Sequence, residues 1–98
     1  MEHEIEYTSE AEADLDEIFM YLSRFYPGTP KRFDDAFQQK MDMLRYNPHT
    51  AYYEYNPIFR KVNVKGYLVF FTIDEEAGAV MIHHVRCGRR RPLENDGT

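Results

Sequence analysis

The sequence predicts an α+β fold of order β-α-α-β-β-β, an antiparallel helical hairpin packed on a largely antiparallel four-stranded sheet. Three observations predict it. Two consecutive segments in the first half of the chain repeat their apolar residues at helical spacing. Only the short break "YPGTP" separates them, which makes the pair a hairpin. The second half holds three strand-like runs, so helices and strands segregate into two layers.

The first strand is "HEIEYT", where Ile5 and Tyr7 share one face and charge occupies the other. Ser9 with Glu12 three residues on reads as a capping box. Ala11, Leu15, Ile18, Leu22 and Phe25 then mark the apolar stripe of a helix over roughly 10–25. Its early acids suit the positive end of the helix dipole. Thr29-Pro30 supplies a cap and a proline for the start of the second helix. That helix buries Phe33, Ala36, Phe37, Met41 and Leu44 and stops at "NP", residues 47–48. "NPHTAYYEYNP" reads as a loop. The strands "FRKVNV", "YLVFFTID" and "AVMIHHVR" follow, the last two joined by the turn "EEAG". "YLVFFTID" is nearly all apolar, which suits a central strand.

With 98 residues the chain forms one domain, 1–98, with a core over about 4–91 and a polar tail at 92–98. "YLVFF" is too short to span a bilayer and "MEHEIEYTSE" has no leader-like apolar stretch, so a cytoplasmic protein is expected. The single cysteine, Cys87, has no internal disulfide partner, in keeping with a reducing compartment. The net charge of −5 is uneven: residues 1–35 carry ten acids against three bases, and residues 36–98 nine bases against seven acids. That balance argues against stable nucleic-acid binding by the chain alone, which usually needs a broadly basic surface.

The motif that stands out is "VRCGRRRP", with Arg86, Arg89, Arg90 and Arg91 at the end of the last strand. Arg60, Lys61 and Lys65 lie on or beside another strand. If those two strands flank the central one, both sets approach one surface, where arginine can clamp anionic groups bidentately. A solvated strand end with surface ion pairs is the plainer alternative. His83 and His84 are adjacent, and adjacent strand residues point to opposite faces, so no shared metal ion is expected. His3 and His49 lie in other segments with no Cys or Asp cluster joining them. No cofactor is expected. His84 can serve as an acid or base, and Cys87 reads as a small residue near a strand end.

The stretches "SEAEADLDEIFMYL", "RFDDAFQQKMDMLRYNP" and "FRKVNVKGYLVFFTIDEEAGAVMIHHVRCGRR" together resemble the RelE/ParE superfamily of type II toxin–antitoxin toxins over residues 4–91. The resemblance implies the same β-α-α-β-β-β layer and one of two activities. RelE-like members cleave mRNA on the ribosome; ParE-like members poison DNA gyrase. "GYLVFF" places Leu68 where the nucleases carry an arginine, and "PLENDGT" stands where they carry a terminal tyrosine or His-Tyr pair. The departures point to the ParE-like branch: a binding toxin with DNA gyrase as the expected target. The alternatives are a ribosome-dependent endoribonuclease, with Arg60, His84 and Arg90 as its catalytic groups, and an inactive relative that only binds antitoxin. For the binding toxin, Arg60, Tyr67, Arg86, Arg89, Arg90 and Arg91 are the expected target-binding residues. The resemblance also implies a cognate antitoxin; Met20, Tyr21 and Met43, off the core stripes, are its expected contacts.

Overall fold

The computed structural model describes residues 2–25, 28–50, 52–53 and 58–88. The Phe25 side chain, the 54–57 part of the tyrosine-rich loop, Arg89, Arg90, Arg91 and the 92–98 tail lie outside the described residues.

The chain begins with β1 (Glu4–Tyr7) and turns directly into α1 (Ser9–Phe25). The cap of α1 is Thr8, one residue before the serine expected from sequence. Its hydroxyl oxygen accepts the Ala11 N–H at 3.1 Å, and its carbonyl accepts the Glu12 N–H at 3.0 Å. Threonine wins because the same hydroxyl donates to the His83 carbonyl at 3.2 Å, tying the helix start to the sheet. Helix α2 (Thr29–Tyr46) is entered through Gly28 in the left-handed region, with no side-chain cap. Thr29 therefore falls inside the helix, and Gly28 makes the turn that a residue with a Cβ would resist. A 3₁₀ turn (Pro48–Thr50) and the two-residue β2 (Tyr52–Tyr53) follow, then β3 (Arg60–Val64), β4 (Tyr67–Asp74) and β5 (Ala79–Cys87). The short β2 lies within the stretch read as a loop.

Among the described residues the sheet order is β1-β5-β4-β3-β2, with β4 central as expected. β1 runs parallel to β5 and the other pairs are antiparallel. The helical hairpin covers one face. There Phe33, Phe37, Met41 and Leu44 of α2 and Ala11, Ile18 and Leu22 of α1 pack on Val64, Val69, Phe71, Val80, Ile82 and Val85. Burying each large apolar side chain is worth about 1.5–3 kcal/mol, so this layer supplies most of the driving force.

β5 carries the one irregularity that shapes the site. Phe70 pairs with His84 but Phe71 pairs with Ile82, so His83 is an extra residue in a β-bulge. Val80 and Ile82 face the helices. Unbroken alternation would next turn His84 and Arg86 inward; the bulge resets the phase and buries Val85 instead.

Candidate functional site

Cross-strand partners share a face, so the pairing sorts the site residues. Lys61, Phe70 and His84 form one row across the open face, and Asn63, Leu68 and Arg86 form the next. From strand spacing, Lys61 and His84 stand about 10 Å apart. On the other face, Arg60 pairs with Phe71, and Tyr67 with Val64 and Cys87.

The two basic strands do flank β4, but they do not deliver all their residues to one surface. Lys61 and Arg86 share the open face. Arg60 begins on the helix side, where its Nη1 donates to the His49 carbonyl at 3.2 Å. Tyr67 also faces the helices, meeting Phe33 edge-on with ring centroids 5.3 Å apart. The expected set Arg60, Tyr67 and Arg86 is thus divided between two faces by strand alternation.

Both histidines of the "HH" pair lie on the open side, contrary to simple alternation, because the bulge adds a residue between the two phases. They still have separate partners. His83 Nε2 is 2.9 Å from Thr72 Oγ1, and its ring meets Phe59 edge-on. Burial holds its pKa below the ordinary value, and the neighbouring His84 adds to that, while Glu10 opposes it. His84 Nδ1 lies 3.6 Å from Asp14 Oδ2 and 3.5 Å from Arg86 Nη2. It does not turn into the core.

Leu68 is half-buried on the open face, the middle residue of its cross-strand row near the start of β4. A Cβ added at Gly88 would come within 3.0 Å of its Cγ, so leucine and glycine pack closely at this end of the sheet. The face therefore offers cationic and imidazole groups at its margins around an apolar centre of Leu68 and Phe70. Such a surface can grip an acidic or mixed protein partner. It lacks, at Leu68, a donor for a phosphate oxygen.

Met20, Tyr21 and Met43 are 62%, 51% and 51% exposed on the helical hairpin. All three lie outside the core.

Two features escaped the sequence reading. His3 and His49 are joined after all, by Glu75: its Oε1 lies 3.4 Å from His3 Nε2 and its Oε2 2.6 Å from His49 Nε2. The His3 hydrogen bond leads in holding the Glu75 carboxyl below the usual range. No local spacing signals a cluster drawn from three separate segments. The second is Asp14, whose Oδ2 accepts the Val85 N–H at 3.0 Å and so caps the edge of β5 past the end of β1. The two-then-three spacing of Val80, Ile82 and Val85 was a legible sign of the bulge that makes this necessary. Among the described residues no group of three or more His, Cys, Asp or Glu side chains is arranged to hold a metal ion, and no helix is long and apolar enough to cross a membrane.

The sequence matches, over residues 5–92, the family described as "ParE toxin of type II toxin-antitoxin system, parDE". No curated protein sequence matches it. Among solved structures, the fold is similar to a chain of the chromosomal ParDE system from P. aeruginosa, with TM-score 0.73 and 14% identity over 87% of this chain and 95% of that one. It is similar to a chain of the RelBE2 toxin–antitoxin complex from Mycobacterium tuberculosis, with TM-score 0.67 and 17% identity over 89% and 99%. The isolated E. coli RelE toxin gives TM-score 0.62 and 12% identity over 97% and 94%. At these identities the likeness is one of fold.

Proposed function

Because the chain belongs to the ParE toxin family of type II toxin–antitoxin systems, we propose that it stops growth by binding a protein target, DNA gyrase, and that a cognate antitoxin neutralises it. The observation that supports binding over cleavage is Leu68. It sits on the open face between Asn63 and Arg86 in the cross-strand row. Metal-free cleavage of a phosphodiester needs a base for the 2′-hydroxyl, a donor for the non-bridging oxygens and an acid for the leaving group. Leucine supplies none of these. Arginine stays protonated and is a poor base. Of the two imidazoles on the face, His83 is engaged by Thr72 and Phe59, which leaves His84, flanked by Asp14 and Arg86, as the proton carrier. Lys61 and Arg86 can donate from the margins of the face but not act as base, so one proton-transfer role stays unfilled, which costs about 10²–10⁴ in rate.

Target binding is assigned to Arg86 with Arg89, Arg90 and Arg91, which follow it in sequence. Arg60 is assigned to a second contact on the helix side. Antitoxin contact is assigned to Met20, Tyr21 and Met43, whose exposure supports an adaptable apolar interface.

Induced expression in a bacterium, with and without the product of the neighbouring small gene, tests the reading. The expected result is growth arrest with gyrase–DNA breaks and intact mRNA, relieved by the second gene. Codon-phased mRNA cuts that vanish on His84→Ala would replace this reading with ribosome-dependent cleavage. Unimpaired growth with a stable complex would leave an inactive antitoxin-binding relative.

A further inference from the structure

A two-residue turn joins β3 to β4. Val64 pairs with Tyr67, and Lys65 and Gly66 between them both have positive φ, 54° and 89°. Positive φ at both central residues marks a type I′ turn, whose twist matches that of the flanking strands. Asparagine followed by glycine is its preferred pair, because asparagine tolerates the left-handed region and most residues with a Cβ do so at a cost. Gly66 follows that preference and Lys65 does not. Among the described residues Lys65 is the one residue other than glycine with positive φ.

Nothing in the turn calls for a lysine. The Gly66 N–H donates to Asn63 Oδ1 at 3.1 Å, so a neighbouring residue supplies the side-chain bond that steadies the turn. The Lys65 side chain is exposed, and among the described residues no carboxylate pairs with it. A strained backbone position that the fold does not need points to a use elsewhere. Its surroundings indicate the use. The Gly66 carbonyl accepts the Gly88 N–H at 2.9 Å, which fastens the turn to the point where the chain enters Arg89, Arg90 and Arg91. Arg86, two residues before Gly88, is exposed and pairs with Leu68 on the open face. The turn thus sets a lysine at the start of the arginine run, on a short loop held by two bonds.

We propose that Lys65 is a specificity-determining contact of the target-binding surface, where its ammonium group donates to a carboxylate in an acidic patch of the target protein. The proposal rests on the gyrase reading above. The surrounding charge favours a protein carboxylate over a nucleic-acid backbone. Asp14 and Glu17 line the same groove as Tyr67, Arg86 and Cys87. A run of phosphates crossing this end of the sheet would meet those two carboxylates as well as the cations, whereas one acidic side chain reaching the turn need not. The net charge of −5 acts in the same direction. A two-residue turn fixes where the Lys65 backbone stands, which lowers the ordering cost of the contact. That gain accounts for lysine at a position where the turn by itself favours asparagine.

The test sets stability against binding. Purified DNA gyrase, with and without a bound DNA duplex, is titrated with the full chain and with its Lys65→Asn and Lys65→Arg variants, and a melting curve is recorded for each chain. Lys65→Asn raises the melting midpoint by about 2–6 °C as strain leaves the turn. The same variant weakens binding to DNA-free gyrase about tenfold, while Lys65→Arg stays within about threefold of the parent. A merely structural lysine cannot give a more stable chain that binds less well. A midpoint that falls or does not move with Lys65→Asn shows that the fold itself is served by lysine and overturns the proposal, as does unchanged affinity. Loss of affinity confined to the DNA-bound form assigns Lys65 to a phosphate and overturns it too. In all three cases the gyrase reading stands; a parent chain that binds gyrase in neither form overturns that reading and the contact with it.

Discussion

Replacing Thr8 by valine keeps the side-chain shape and removes one hydroxyl. That hydroxyl holds two bonds at once: it accepts the Ala11 N–H at 3.1 Å and donates to the His83 carbonyl at 3.2 Å. Loss of a helix cap costs about 0.5–2 kcal/mol. Loss of the second bond costs about 0.5–1.5 kcal/mol, since it leaves a half-buried carbonyl at the bulge short of a partner. The total is about 2 kcal/mol. In a domain of this size each kcal/mol moves the midpoint by about 4–8 °C, so Thr8→Val should melt about 10 °C lower. Thr8→Ser should recover most of the loss. Ser9→Ala, which would remove the cap in the capping-box reading, should stay within about 0.5 kcal/mol of the parent. Thermal unfolding followed by circular dichroism measures all three. A Thr8→Val midpoint within about 2 °C of the parent, or an equal loss for Ser9→Ala, would refute the assignment of Thr8 as the joint between α1 and β5.

Gly88→Ala should destabilise by about 1–3 kcal/mol, because its Cβ would meet Leu68. Leu68→Ala in the same chain should recover part of that, as a double-mutant cycle in urea would reveal. The depressed pKa of His83 makes the unfolded chain bind its proton first. Its contribution is therefore full above about pH 6.5 and is lost as pH falls through the lower folded value. His83→Gln should flatten that part of the stability–pH curve, and an unaltered slope would count against the assignment. Arg60→Ala should lower stability by about 1 kcal/mol through the bond to the His49 carbonyl. It should also weaken growth inhibition more than Arg89→Ala, Arg90→Ala or Arg91→Ala singly. Inhibition that survives Arg60→Ala and disappears with Arg91→Ala alone would reverse that ranking.

The layer architecture was legible because the helical stripes and the strand runs differ in period, and each period maps onto one buried face. Phe33, Phe37, Met41 and Leu44 are core for the reason their spacing indicated. The cap of α1 was misplaced by one residue because Ser9 and Glu12 fit a local rule, whereas Thr8 is selected by a carbonyl 75 residues away in sequence. The facing of the candidate site was harder to read. Arg60 and Lys61 are neighbours, yet strand alternation sends them to opposite faces. The histidine pair went the other way, because one bulge cancelled the alternation. Asp14 shows the general difficulty: it is one acid among many on α1 until the free edge of β5 gives it a partner. Glu75 between His3 and His49 is likewise a product of tertiary structure, with no sequence spacing to announce it.

The central claim is that this chain binds its target and does no chemistry on nucleic acid. It is tested most directly with purified components: DNA gyrase, relaxed plasmid and ATP, titrated with the free protein and with its antitoxin complex, alongside translating ribosomes given the same protein. The account predicts dose-dependent loss of supercoiling with accumulation of linear DNA, abolished by the antitoxin, and intact ribosome-bound mRNA. Unaffected supercoiling together with cut mRNA would contradict it.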